Sequence, residues 1–236
     1  MPQCPFATQM PISLTSGDNL GGPFKIVHHT TEGSSAEGAF AAFRKNRSDP
    51  HFTVNRTTVF QHIDSSVAAR ALRNAPGGVQ TNRDSAVQIE IVGFAGANKH
   101  PQTLRNVARL CRWIEQTHQI PRLWPSGPPR MHRNGADPGG HNRDAANWNS
   151  SSGHYGHSQV PENVHWDPGY SKVEADYLLA AEFDDAGHLT NPDHAAVKAL
   201  ANRPVGLDAP DPVVIIDHAD VGEIIDPAEV SEQDDD

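Results

Sequence analysis

Cysteine is nearly absent from this chain: Cys4 and Cys111 are the only two in 236 residues. Two thiols permit one disulfide at most and make no disulfide scaffold. Cys111 falls within an apolar helical pattern, which predicts a buried, inert thiol. Any metal is then expected on His and carboxylate groups rather than thiolates. Long apolar runs are missing as well. No stretch reaches about 18 apolar residues, so no membrane-spanning helix is expected. The first residues, through Thr8, lack a basic segment followed by an apolar one, so no secretory signal peptide is expected either. There is no internal repeat. A dominant basic stripe is also lacking, which argues against nucleic acid as a partner.

The composition that remains suits a soluble globular chain: 36% hydrophobic, 20% charged, with a mean hydropathy of −0.57. Its length suffices for one well-buried domain plus an extension, or for two small domains. The net charge of −10 is unevenly placed. Residues 182–236 carry 15 of the 29 acidic groups against only Lys198 and Arg203, so the rest of the chain is close to neutral or mildly basic. Three regions are expected: an irregular lead over 1–22, a folded body over 23–182, and an acidic C-terminal extension over 183–236.

Within the body, Phe24 to Val27 reads as a short strand delivering His28 at its end. Ser34 and Glu37 have capping-box spacing, followed by Ala36, Phe40 and Phe43 at helical intervals. Residues 52–54 and 59–61 read as paired strands about a turn at 55–58. Residues 87–92 are apolar enough for a central strand. Leu104, Val107, Ala108, Cys111 and Ile114 mark an amphipathic helix over about 102–119. A long polar stretch over about 121–156 reads as a loop leading to His157. Ser171 and Glu174 cap a last body helix carrying Val173, Tyr177, Leu178 and Ala181. In the extension, Asn191 and Pro192 are placed to cap and start a helix through about 201. Residues 212–216 are a candidate strand, and 226–236 are expected to be disordered. The fold expectation is α/β: a mixed sheet of about five or six strands flanked by helices, with an acidic tail.

Three distant segments each offer a metal ligand: His28 after the first strand, His157 after Gly156, and Asp167 before Pro168 and Gly169. Two imidazoles and a carboxylate form the open first shell of a catalytic zinc, with a position left for water. Taken singly, each is more often structural, since the chain has 14 histidines.

Taken together, the pieces resemble the type 2 N-acetylmuramoyl-L-alanine amidases, the family that includes bacteriophage amidase endolysins and peptidoglycan recognition proteins. The resemblance runs over about 24–182. It rests on Ile26, Val27, His28, His29 and Thr30; on His51, Phe52, Thr53 and Val54; and on Val59, Phe60 and Gln61. It continues through Ile89, Glu90, Ile91, Val92 and Gly93, then Gly156 and His157, and closes on Asp167, Pro168 and Gly169. The resemblance implies zinc held by His28, His157 and Asp167, with His29 outside the ligand set. It implies that Glu90 is a general base. His165 stands where many relatives carry Lys and would donate a hydrogen bond to the developing oxyanion. Pro50 occupies a place where bacteriophage relatives often have Tyr, which shifts weight onto Glu90.

Asn82 and Arg83 are candidates for contacting a peptide carboxylate or sugar, or equally for shaping their loop. The activity implied is zinc-dependent peptidoglycan hydrolysis at the amide between N-acetylmuramic acid and L-alanine. The alternative is a non-catalytic peptidoglycan-binding module of the same fold. The expected partner is peptidoglycan, met by a monomer. The enzyme would be made in the cytoplasm and reach the wall by holin-type release or dedicated secretion.

Overall fold

A computed structural model describes residues 2–11, 15–131 and 139–203. Among these, the elements in chain order are β1 (Thr8–Gln9), β2 (Lys25–Thr30), α1 (Ala36–Asn46), β3 (Phe52–Val54), β4 (Val59–Gln61) and β5 (Ala86–Ile91). Then come α2 (Pro101–His118), α3 (Ala145–Ser150), β6 (Gly153–Gly156), α4 (Lys172–Ala180) and α5 (Ala195–Ala201). A single 3₁₀ turn, His157–Gln159, follows β6 directly. The six strands form one mixed sheet in the order β1-β4-β3-β5-β2-β6. Only β3 and β4 pair antiparallel; the other neighbours are parallel.

The two faces of the sheet follow from side-chain alternation. Ile26, Phe52, Val54, Val87, Ile89 and Ile91 point to one side and pack with Leu104, Val107, Cys111 and Ile114 of α2 and with Leu178 of α4. The apolar stripe of α2 therefore does what its period implied. Val27 points to the other side and packs with Leu72, Trp148 and Tyr155. Helix α1 also covers that second side, with Phe40 and Phe43 against Phe60. Both cysteines are buried and unpaired. Burial raises both thiols, Cys4 to about 11.

Several local expectations shift. The N-cap of α1 is Ser35, which accepts from the Gly38 amide, not Ser34. Ser171 and Glu174 do form the predicted reciprocal box at α4. Helix α5 starts at a His194 cap rather than at Asn191. The stretch read as one long loop contains α3 and the edge strand β6. Val197 and Leu200 of α5 join the core of α2 and α4, and Arg203 pairs with Glu174 at 2.8 Å. The ordered body thus continues past residue 182. The candidate strand at 212–216 and the acidic segment 226–236 lie outside the described residues.

Candidate metal centre

His28 and His29 are neighbours in the middle of β2, so their side chains leave the sheet on opposite faces. Ile26 packs on the α2 side, and His28, two residues on, follows it. His29 faces the other way and sits in register with Glu90 on β5. Register also explains His157. Gly156 of β6 pairs with His28, so the chain leaving β6 sets His157 beside His29. Asp167 arrives on the loop that crosses these strand ends. Its Oδ2 accepts from the Thr30 amide at 3.0 Å, and its carbonyl accepts from the Ser158 amide at 2.9 Å.

The result is a buried group of His29, His157 and Asp167. His29 Nδ1 lies 3.1 Å from His157 Nδ1 and 3.8 Å from Asp167 Oδ2, and His157 Nδ1 lies 3.2 Å from Asp167 Oδ1. The structure brings His157 and Asp167 together as the sequence reading expected. It does not bring His28 to them; His29 takes that place. A strand cannot put both residues of an adjacent pair on one face.

Hydrogen-bond bookkeeping tests whether this group fits a metal. Asn163 Oδ1 accepts from His157 Nε2 at 2.9 Å. An amide oxygen only accepts, so the ring proton sits on Nε2 and Nδ1 carries a lone pair. That lone pair faces a carboxylate oxygen and another ring nitrogen. A proton on His29 Nδ1 can bridge at most part of this cluster, whereas a cation engages all three ligand atoms. The separations are also close to the roughly 3.3 Å expected between ligand atoms about 2.0–2.1 Å from a tetrahedral zinc. The donor set fits a divalent cation.

A second buried group, His28, Cys111 and His154, also has ligand types within reach of one another. Its accounting differs. Tyr170 Oη lies 3.0 Å from His28 Nδ1, His28 Nε2 lies 3.0 Å from His154 Nδ1, and His154 Nε2 lies 2.9 Å from Glu115 Oε1. One proton direction, from Tyr170 through both rings to the carboxylate, satisfies every nitrogen. Burial acts to raise Glu115, but the His154 bond and the charges of His154, Arg112 and Arg122 outweigh it and hold the carboxyl low. Nothing in this chain calls for a cation, and burial keeps Cys111 a thiol.

A family model for N-acetylmuramoyl-L-alanine amidase matches residues 23–170. The chain belongs to this amidase family. Among solved structures, a Staphylococcus aureus hydrolase, AmiA, crystallised with its ligand, is similar at 14% identity. The match covers 75% of this chain and 83% of that one with a TM-score of 0.50, a likeness of fold. An N-acetylmuramoyl-L-alanine amidase, LysC, from Clostridium intestinale matches at 15% identity over 71% of this chain and 91% of that one, with a TM-score of 0.44. No curated protein matches the sequence significantly.

In this amidase the three residues open onto a cavity of about 140 Å³, walled on one side by Ala39, Ala42 and Phe43 of α1 and on the other by Glu90 and His165. Glu90 Oε1 lies 4.0 Å from His29 Nδ1, and Glu90 Oε2 is buried with no hydrogen-bond partner. Burial, then the Asp167 and Glu32 charges, pushes the Glu90 carboxyl well above its usual range. Asp167 goes the other way: burial opposes ionisation, but the imidazole of His157, then those of His29 and His165, hold it low. Burial and the His157 charge push His29 well below the usual imidazole value. His165 stacks on His157 with ring centroids 4.7 Å apart.

Asn82 and Arg83 are not at the cavity. Asn82 is buried; its Oδ1 accepts from the Ala71 and Leu72 amides and from Gln88, and its Nδ2 donates to the Leu72 carbonyl. Its polar atoms are consumed in shaping the loop. Arg83 Nε donates to the Asp18 carbonyl at an exposed position. Sequence reasoning missed Asn163 altogether. It stands six residues after His157 with no motif to mark it.

Proposed function

We propose that this amidase is a zinc-dependent hydrolase of the amide between the lactyl group of N-acetylmuramic acid and the first L-alanine of the stem peptide. The observation that carries the reading is the convergence of His29, His157 and Asp167 on one cavity also lined by Glu90, whose buried Oε2 has no hydrogen-bond partner among the described residues. His29, His157 and Asp167 would hold the ion, replacing the set that begins with His28. A zinc ion there supplies Lewis-acid polarisation of the amide carbonyl and eases deprotonation of water.

The remaining work falls to the chain's own residues. Glu90 takes a proton from the attacking water as its oxygen adds to the carbonyl carbon. It then returns that proton to the amide nitrogen as the C–N bond breaks, releasing a carboxylic acid and an amine, which exchange the second water proton to leave a carboxylate and an ammonium. A carboxyl with a raised pKa suits both halves of that task. His165, at the cavity wall, donates a hydrogen bond to the carbonyl oxygen as its charge grows. The apolar wall of α1 excludes water from the opposite side. All three ligand positions are filled, which favours catalysis over the binding-only alternative.

The test is to incubate the zinc-loaded protein with purified muropeptides and follow products by mass spectrometry. Separated glycan and stem peptide with a new N-terminal alanine are expected. Binding without cleavage would replace this reading with the recognition module. Peptidoglycan is the proposed partner, met by a monomer. No helix among the described residues is long and apolar enough to cross a membrane. Release to the wall by a holin or a dedicated secretion route belongs to the same proposal.

A further inference from the structure

We infer that Asn163 is a positioning residue that fixes the tautomer of His157 and so aims its Nδ1 lone pair at His29 and Asp167. The inference rests on the metal-centre reading above. Asn163 is buried, and each of its polar atoms has one possible role. Its Nδ2 donates to the Pro161 carbonyl at 2.9 Å and to the Arg73 carbonyl at 3.2 Å. Its Oδ1 accepts from the Arg73 amide at 3.0 Å and from His157 Nε2 at 2.9 Å. Reversing the amide would oppose Nδ2 to a backbone N–H and Oδ1 to two carbonyls. The orientation is therefore locked by the backbone, and the lock passes to the imidazole.

The consequence is specific. A free neutral imidazole divides its proton between two nitrogens. Here the proton is held on Nε2, away from the ligand cluster, and the ring cannot rotate without losing its partner. Metal-bound histidines commonly have such an outer acceptor, and losing it typically weakens metal affinity about 10–100-fold. The same amide ties the loop at Arg73, 90 residues away in sequence, to the ligand. A rearrangement of that loop would thus be felt at His157.

The experiment compares Asn163→Asp with Asn163→Leu. Aspartate keeps an acceptor for His157 but turns a carboxylate oxygen toward the Pro161 and Arg73 carbonyls, so its fold is weakened. Leucine removes the acceptor. Zinc affinity is measured by competition with a chromophoric chelator, thermal stability in excess chelator, and the His157 tautomer by ¹⁵N NMR of the metal-free wild-type protein. The inference expects the Nε2–H tautomer in the wild type. It expects zinc affinity within about threefold of wild type for Asn163→Asp despite a lower melting temperature. For Asn163→Leu it expects a loss of about 10–100-fold. Equal losses in both variants, or an Nδ1–H ring in the wild type, would overturn it. Should Asn163→Leu fail to fold, the tautomer and the Asn163→Asp affinity still decide. A wild-type protein that binds no zinc, yet shows the Nε2–H ring, would refute the metal-centre reading and leave the tautomer lock standing.

Discussion

Replacing His28 and His29 one at a time by Gln separates two accounts of this centre. On the proposed ligand set, His29→Gln removes one of the three groups that would hold the ion. Structural zinc sites bind with roughly 10–16 kcal/mol over four ligands, so one imidazole is worth about 3 kcal/mol, or on the order of 100-fold in affinity. His28→Gln touches no ligand. It breaks a buried chain whose members have no alternative partner among the described residues: Tyr170 Oη on one side and His154 Nδ1 on the other. A glutamine amide reaches one of the two, and the other is left unsatisfied at about 1–3 kcal/mol. In a chain of this size that is a melting-temperature loss of roughly 2–12 °C. Zinc content after equilibration at buffered free zinc, by plasma mass spectrometry, should stay near one per chain for His28→Gln and fall well below one for His29→Gln. Melting in excess chelator should show the converse order, since both ring nitrogens of His28 are hydrogen-bonded whereas His29 Nε2 is buried without a partner among the described residues. A metal-free His28→Gln protein beside a metal-replete His29→Gln protein would refute the reasoning outright.

Three further outcomes are expected. Glu90→Gln should abolish muropeptide turnover while zinc content stays near one; residual activity above about 1% of wild type would remove Glu90 from the proton-transfer role. His165→Ala should lower kcat about 10–100-fold with KM little changed, and His165→Lys should restore most of it, because either cation or N–H donor can serve the carbonyl oxygen. Acid sensitivity should trace in part to His51, whose Nδ1 accepts from the Gln88 amide and whose Nε2 donates to the Val67 carbonyl. Burial lowers it to about 4 in the fold, against 6.5 when unfolded. Its neutral form therefore contributes fully above pH 6.5, and at most about 3 kcal/mol of that is lost as pH falls toward 4. Urea unfolding of wild type and His51→Gln should converge over that window, and a gap that does not change with pH would contradict the assignment.

Much of the fold was legible because the signals are local. The α2 stripe, the β3–β4 hairpin, the central β5 and the Ser171 cap each depend on residues a few positions apart. The edge strand β6 was not legible. Gly153 and Gly156 bound a four-residue segment with no alternation, and it is a strand only because β2 offers a free edge. The buried chain from Tyr170 to Glu115 was equally hidden, since its links join residues 142, 126 and 39 positions apart.

The candidate ligand on β2 is a different matter: the sequence marked the histidine pair, and the choice between its members depended on strand register. Glu90 lies between Ile89 and Ile91, which must face the core if β5 is central, so Glu90 faces away from it. Ile26 and Val27 are both apolar and buried, on opposite faces, so β2 by itself does not say which histidine shares a face with Glu90. A carboxylate on the far face and a histidine on the core face cannot serve one centre. Period-two alternation puts the two histidines on opposite faces, and the register of β2 with β5, which pairs His29 with Glu90, selects His29. The family motif fixes which pair of histidines matters, but pleat and register together decide between them. The rejected member keeps a use: on the core face, an imidazole at position 28 can survive burial only with a partner for each nitrogen, and Tyr170 and His154 supply them.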